Sequence, residues 1–222
     1  MSIRTEAFVK AVQAARTGMK KRNFSQSFEL ILNVKGLDVS KPEKRFTEQI
    51  ELPNGLVESR RKICVIATGD TALRASKTDG VDRVLERNEV ESLVGNKKEA
   101  KRLASGYDHF LVDTPVMGSA ARALGAALGS RGKRPVPITP GQDLGDLVRK
   151  YAKTVTMQLR KTTQLSCIIG TEKMKDEDVA GNAEAVARRV ADKLEKRFKN
   201  IGSIYIKTTM GSPVKVAMPG GK

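Results

Sequence analysis

Apolar residues recur at helical intervals near the start of the chain. Phe8, Val12 and Ala15 share one side of residues 3 to 16, with Ser2 as the expected N-cap and Gly18 as the stop. Beyond Arg22 the interval shortens to two. Phe28, Leu30, Leu32 and Val34 alternate with polar Ser27, Glu29 and Asn33, the pattern of a strand with one face in a core and the other toward solvent. Phe46, Glu48, Ile50 and Leu52 repeat that alternation and are expected to be its antiparallel partner, ending at the turn Pro53-Asn54-Gly55.

At Ile63 alternation gives way to a continuous apolar run, Ile63 to Ala67, which marks a strand covered on both faces. Thr68-Gly69-Asp70 then opens a helix over 71–77. A short strand over Val81 to Leu85, a helix over Lys97 to Ser105, a buried strand over His109 to Asp113 and a helix from Pro115 to Leu128 follow. Gly141 to Lys153, with Leu144, Leu147, Val148 and Tyr151 on one face, closes the series. Strands alternating with helices call for an open parallel sheet with helices on both sides.

After Lys153 the alternating style returns in Thr154 to Leu159 and Gln164 to Ile169, the second carrying Cys167 in the core. A long helix from Asp176 has the stripe Val179, Val186, Val190, Leu194 and Phe198, ringed by cations that read as solvated. The last patterned stretch is Ser203 to Val216, where Ile204 and Ile206 alternate with Ser203, Tyr205 and Lys207 before the turn residues Gly211, Ser212 and Pro213. The fold class expected is α/β. A discontinuous α+β domain from residues 1–62 and 154–222 surrounds an inserted α/β domain, 63–153.

Charge turns this architecture toward a polyanion. The net charge is +16 and the pI near 10.0, with 13 basic against 7 acidic residues in 1–62, 15 against 11 in 63–153 and 13 against 7 in 154–222. No apolar run approaches the length of a membrane span and Ser2 to Arg16 is interrupted by charge, so a cytoplasmic protein is expected. Cys64 and Cys167 sit in apolar runs as small core residues, and His109 has no Cys or His at metal-ligand spacing, so neither a metal nor a cofactor is expected. Without Trp, and with only three Tyr and six Phe, an extensive base-stacking platform is not expected, which leaves room for one or two stacking contacts.

Two stretches offer groups that phosphate and ribose can use. One is the strand-to-turn junction with Lys207, Thr208, Thr209, Met210, Gly211 and Lys215; the other is the basic lead-in Lys20-Lys21-Arg22 that feeds Asn23-Phe24 and the first strand. A solvated hairpin end with an ordinary lead-in accounts for both stretches equally well. The segment Ser130 to Pro137 reads as a Pro- and Gly-stiffened basic loop, with Arg131, Lys133 and Arg134 as secondary phosphate contacts. Enzyme motifs fail: Gly132-Lys133 is followed by Arg134, the position five before Gly132 is Ala127, and no G-x-S-x-G turn occurs. Asp70 and Asp113 fall at parallel-strand ends, where α/β enzymes place acids, although helix capping and a loop position explain them as well.

Four stretches in order, RNFSQSFEL (Arg22 to Leu30), LPNG (Leu52 to Gly55), LGSRGKRPVP (Leu128 to Pro137) and KTTMGSPVKV (Lys207 to Val216), resemble the large-subunit ribosomal protein L-one family in its archaeal form. The resemblance runs nearly end to end. It implies a domain made from both termini that grips large-subunit rRNA at the mobile stalk, with a Rossmann-like three-layer domain inserted. It also implies a non-enzymatic role on the ribosome, assistance to discharged tRNA leaving the exit site, repression of the protein's own mRNA, and a monomer when free. The family's RNA contacts fall here on Phe24, Ser27, Glu29, Ser203, Thr209, Met210 and Gly211, beside Lys207 and Arg22. The chain departs from the family's usual TMGPS in reading Ser212 before Pro213. Ser130 also replaces a usual Pro, and Asn23 a Lys frequent in bacterial members. Two rival readings are a charge-driven binder indifferent to sequence, and an α/β enzyme using Asp70 and Asp113.

Overall fold

The computed structural model describes residues 5–56, 61–139, 141–160 and 162–218; the expected N-cap Ser2 lies outside them. In chain order the elements are α1 (Thr5–Thr17), β1 (Ser27–Val34), β2 (Phe46–Glu51), β3 (Ile63–Ile66), α2 (Gly69–Lys77), β4 (Arg83–Leu85), α3 (Arg87–Ser92), α4 (Lys97–Gly106) and β5 (His109–Asp113). They continue as α5 (Met117–Arg131), β6 (Val136–Ile138), α6 (Leu144–Ala152), β7 (Thr154–Leu159), β8 (Gln164–Thr171), α7 (Asp176–Lys193), β9 (Ile201–Thr208) and β10 (Val214–Lys215). The fold is mixed α/β and divides into two compact units, Met1–Arg60 with Lys153–Lys222, and Arg61–Ala152.

In the first unit an antiparallel sheet runs β10-β9-β1-β8, so the central strand β1 joins the two ends of the chain. Phe28, Leu30, Leu32 and Val34 point inward from β1 and meet Phe8 and Val12 of α1 and the small-residue face of α7, including Ala183 and Ala187. Small residues let α7 lie close to the sheet. At Gly170 a Cβ would stand 2.6 Å from Val179 Cγ2, nearer than any side chain tolerates. The turn after β2 is held by buried Asn182, whose Nδ2 donates to Asn54 O (3.0 Å) and Ile169 O (2.8 Å) while its Oδ1 accepts from Asn54 N (2.9 Å).

The structure corrects three expectations in this unit. Strand β2 is antiparallel but pairs with β7, from Phe46↔Leu159 to Glu51↔Thr154, because both edges of β1 are taken by β8 and β9. Cys167 pairs opposite Leu30 and is half-buried at the margin of the core. The last helix ends at Lys193, short of Phe198. Leu194 turns to extended backbone, and buried Asn200 captures the released segment, accepting from Lys196 N (2.8 Å) and donating to Lys35 O (2.9 Å).

The second unit is a parallel sheet, β4-β3-β5-β6, between two helical layers. Cys64, Ile66, Phe110 and Val112 face α3, α4 and α5, whereas Ile63, Val65 and Leu111 face α2 and α6. Burial pushes the Cys64 thiol up to about 12. His109 is buried on β5 with its ring 5.2 Å from that of Tyr151. The segment Ser130 to Pro137 is not the expected loop. Ser130 and Arg131 finish α5, Gly132 caps it in the left-handed region (φ 67°), and Val136 and Pro137 belong to β6 beside β5.

Candidate nucleic-acid interface

Alternation on β1 and β9 sends one set of side chains into the core and leaves the other on an open face. Cross-strand register places Glu29 opposite Lys207, Ile31 opposite Tyr205 and Asn33 opposite Ser203 on that face, all of them half-buried. Lys207 Nζ lies 3.9 Å from Glu29 Oε2 and donates to Thr209 O at 3.1 Å, so the carboxylate is balanced by its neighbour while keeping lone pairs for a donor. At the other end of the pair Asn33 Nδ2 donates to Ser203 Oγ (2.9 Å). At about 3.3 Å per residue, Ser203 stands about 13 Å along the strand from Lys207, a span suited to an extended ligand.

The two chain ends are knotted where β1 begins and β9 ends. Thr209 N donates to Ser27 O (3.0 Å), and Ser27 N donates back to Thr209 Oγ1 (3.0 Å), so the two predicted residues Ser27 and Thr209 extend the ladder by a side chain. Gly211 N donates to Thr208 O (3.0 Å) and closes the turn. From this knot Phe24 (50% exposed) and Met210 (61%) reach into solvent, and they are the large apolar side chains exposed in this unit among the described residues. Lys20, Lys21 and Arg22 are exposed on the approach to Phe24. Two apolar knobs beside hydroxyls, an acid and cations suit a polar partner with hydrophobic ring faces.

Gly211 is not in the positive-φ region; its constraint is space. A Cβ there would stand 2.2 Å from Thr208 Oγ1, a buried hydroxyl that has no hydrogen-bond partner among the described residues. Sequence reading also missed Gln26. It is 1% exposed, its Nε2 donates to Lys20 O (2.9 Å), its Oε1 accepts from Met210 N (3.2 Å), and its backbone exchanges hydrogen bonds with Glu172. A polar residue one place before an alternating run was the available signal, but nothing local tells a buried amide from a solvated one.

The secondary candidates belong to the inserted unit, where two of them are engaged. Arg131 donates to Ala127 O (3.3 Å) and Ser105 Oγ (2.6 Å), and Lys133 Nζ donates to Ala104 O (2.8 Å) and Tyr107 O (2.6 Å) at the end of α4. Partial burial lowers the Lys133 ammonium from its ordinary range. Arg134 is exposed. A cavity of about 420 Å³ in this unit is lined by Lys62, Asp82, Arg83 and Tyr107, near the N-terminal ends of β3 and β4. Asp70 and Asp113 follow the opposite strand ends and do not line it.

Residues 13–212 match the profile of the Ribosomal protein L1p/L10e family. The chain is 41% identical to the large ribosomal subunit protein uL1 of Methanothermobacter thermautotrophicus over 211 residues, covering 95% of this chain and 99% of the relative. It is 42% identical to the protein of the same name from Thermococcus kodakarensis over 217 residues (97% and 99%), and 43% identical to that of Staphylothermus marinus over 211 (95% and 94%). With a profile match that spans most of the chain and archaeal relatives matched nearly end to end, the chain belongs to the Ribosomal protein L1p/L10e family.

Proposed function

We propose that this protein grips large-subunit rRNA at the ribosomal stalk through the knot where its two chain ends meet. As a member of its family it is a structural protein of the large ribosomal subunit. The observation that supports the reading is the reciprocal Ser27–Thr209 pairing, which sets the hydroxyls, the Glu29–Lys207 pair and exposed Phe24 and Met210 on one rigid edge. Folded RNA is read through ribose hydroxyls, phosphates and unstacked bases. Glu29 accepts from a 2′-OH or base amino group, Thr209 and Ser203 supply hydroxyls, Arg22 and Lys207 steer phosphate, and Phe24 and Met210 exclude water from those contacts.

On the ribosome the protein assists discharged tRNA out of the exit site, and off it the same surface binds a mimic of the rRNA site in its own mRNA. Both roles rest on the family resemblance, and the second also on reuse of the rRNA-binding surface. A filter-binding titration of a stalk-derived rRNA fragment against a random duplex at moderate salt tests the central claim. A clear preference for the fragment, lost in Met210→Asp with folding retained, is expected. Equal affinity for both RNAs would mean that charge alone drives binding. Translation of the protein's own mRNA in an extract, with the purified chain added, tests repression: output falls if the mimic exists and is unchanged if it does not.

A further inference from the structure

We infer that Gln26 is a positioning residue for the RNA surface, acting through the Met210 backbone and the basic lead-in; this rests on the proposed function above. Three segments far apart in sequence converge on it: the lead-in at Lys20, the end of β8 at Glu172, and the turn at Met210. None of these bonds belongs to the regular ladder between β1 and its neighbours, since β1 starts at Ser27. The amide side chain does there what strand pairing does elsewhere. Glu172, which receives Gln26 N at 3.1 Å and donates its own N–H to Gln26 O at 2.9 Å, is held from behind by Arg16. The Arg16 guanidinium donates to the Glu172 and Met174 carbonyls and pairs with Asp176 at 2.7 Å.

The chemistry of the site selects an amide. Lys20 presents a carbonyl and Met210 an N–H, so the side chain between them must donate on one side and accept on the other. A carboxylate would keep the bond from Met210 N and set a negative oxygen against the Lys20 carbonyl. A methionine would fill the space and make neither bond. With the amide in place, Met210, Phe24 and the cations 20 to 22 are ordered before RNA arrives, which removes that ordering from the cost of binding.

The test uses the full chain and the variants Gln26→Met and Gln26→Glu. Exchange of the Met210 amide hydrogen should quicken by roughly tenfold or more in Gln26→Met and stay near wild type in Gln26→Glu, with the β1–β9 ladder protected in both. Affinity for the stalk rRNA fragment should fall about tenfold or more in Gln26→Met, while affinity for a random duplex and its salt slope stay unchanged; general destabilisation would lower both affinities together. In a Met210→Ala background the same change should cost less than in the wild type, because the part of its effect that positions the Met210 side chain is already lost. Unchanged Met210 exchange in Gln26→Met, or a full additive penalty in the Met210→Ala background, overturns the assignment alone. A wild-type chain that does not prefer the fragment overturns the RNA reading and this role with it.

Discussion

Replacing Gly211 with Ala separates two reasons for a glycine at the interface. The residue could serve RNA by letting a ribose or phosphate come close, or it could serve the protein by leaving room for Thr208. The coordinates favour the second: the new Cβ would lie 2.2 Å from Thr208 Oγ1 and 3.5 Å from Thr208 Cβ. Thr208 is buried at the end of β9 and stiff at χ1, so turning its hydroxyl away drives a side-chain branch against packed surroundings. Overpacking of this kind costs about 1–3 kcal/mol, drawn from a shifted turn or a strained Thr208. A shifted turn carries Thr209 and Met210 with it and loosens their bonds to Ser27 and Gln26. Affinity for the rRNA fragment should therefore fall by about tenfold, a loss of about 1.4 kcal/mol. Thr208→Ala removes the clashing oxygen, which was a buried group without a partner among the described residues, and leaves an ordinary 3.5 Å contact. The double variant Thr208→Ala/Gly211→Ala should bind within about threefold of Thr208→Ala alone, a non-additivity of about 0.7 kcal/mol or more. Filter binding on the four proteins of the cycle reads this directly. An equal loss from Gly211→Ala with and without Thr208 would refute the argument and return the glycine to the RNA.

Asn182→Leu should destabilise the first unit by about 3 kcal/mol, because it strands Asn54 N and O and Ile169 O in a buried site; the midpoint of calorimetric unfolding checks this. In the second unit the Cys64 thiol stays protonated in the fold up to about 12 but ionises from 9.0 once unfolded, so the native state holds the extra proton between those values. Stability should then fall by up to about 1.4 kcal/mol per pH unit above 9, and Cys64→Val should flatten that alkaline slope in denaturant titrations. With a thiol reagent at neutral pH, half-buried Cys167 should label before Cys64, and mass spectrometry of the peptides would show the order. Gly170→Ala should lower the unfolding midpoint by driving Val179 off the sheet, and the further change Val179→Ala should restore part of it.

Local pattern was enough to name most of the elements and the two stretches that make up the candidate interface. Periods of two and of 3.6 follow from backbone geometry, so Phe28 to Val34 and Leu144 to Tyr151 declare their faces wherever they end up in space. The four family stretches were equally visible, since they are strings of residues. Tertiary structure alone decided which strands meet. The pattern of β2 specifies an inner face but no neighbour, and only the capture of both β1 edges by β8 and β9 sends it to β7. The same non-local arrangement sets Lys133 against the end of α4 and buries Gln26 between segments nearly two hundred residues apart. Periodicity reports how a residue stands on its own element, whereas a hydrogen bond between chain ends depends on the closure of the whole sheet, which no window of sequence contains.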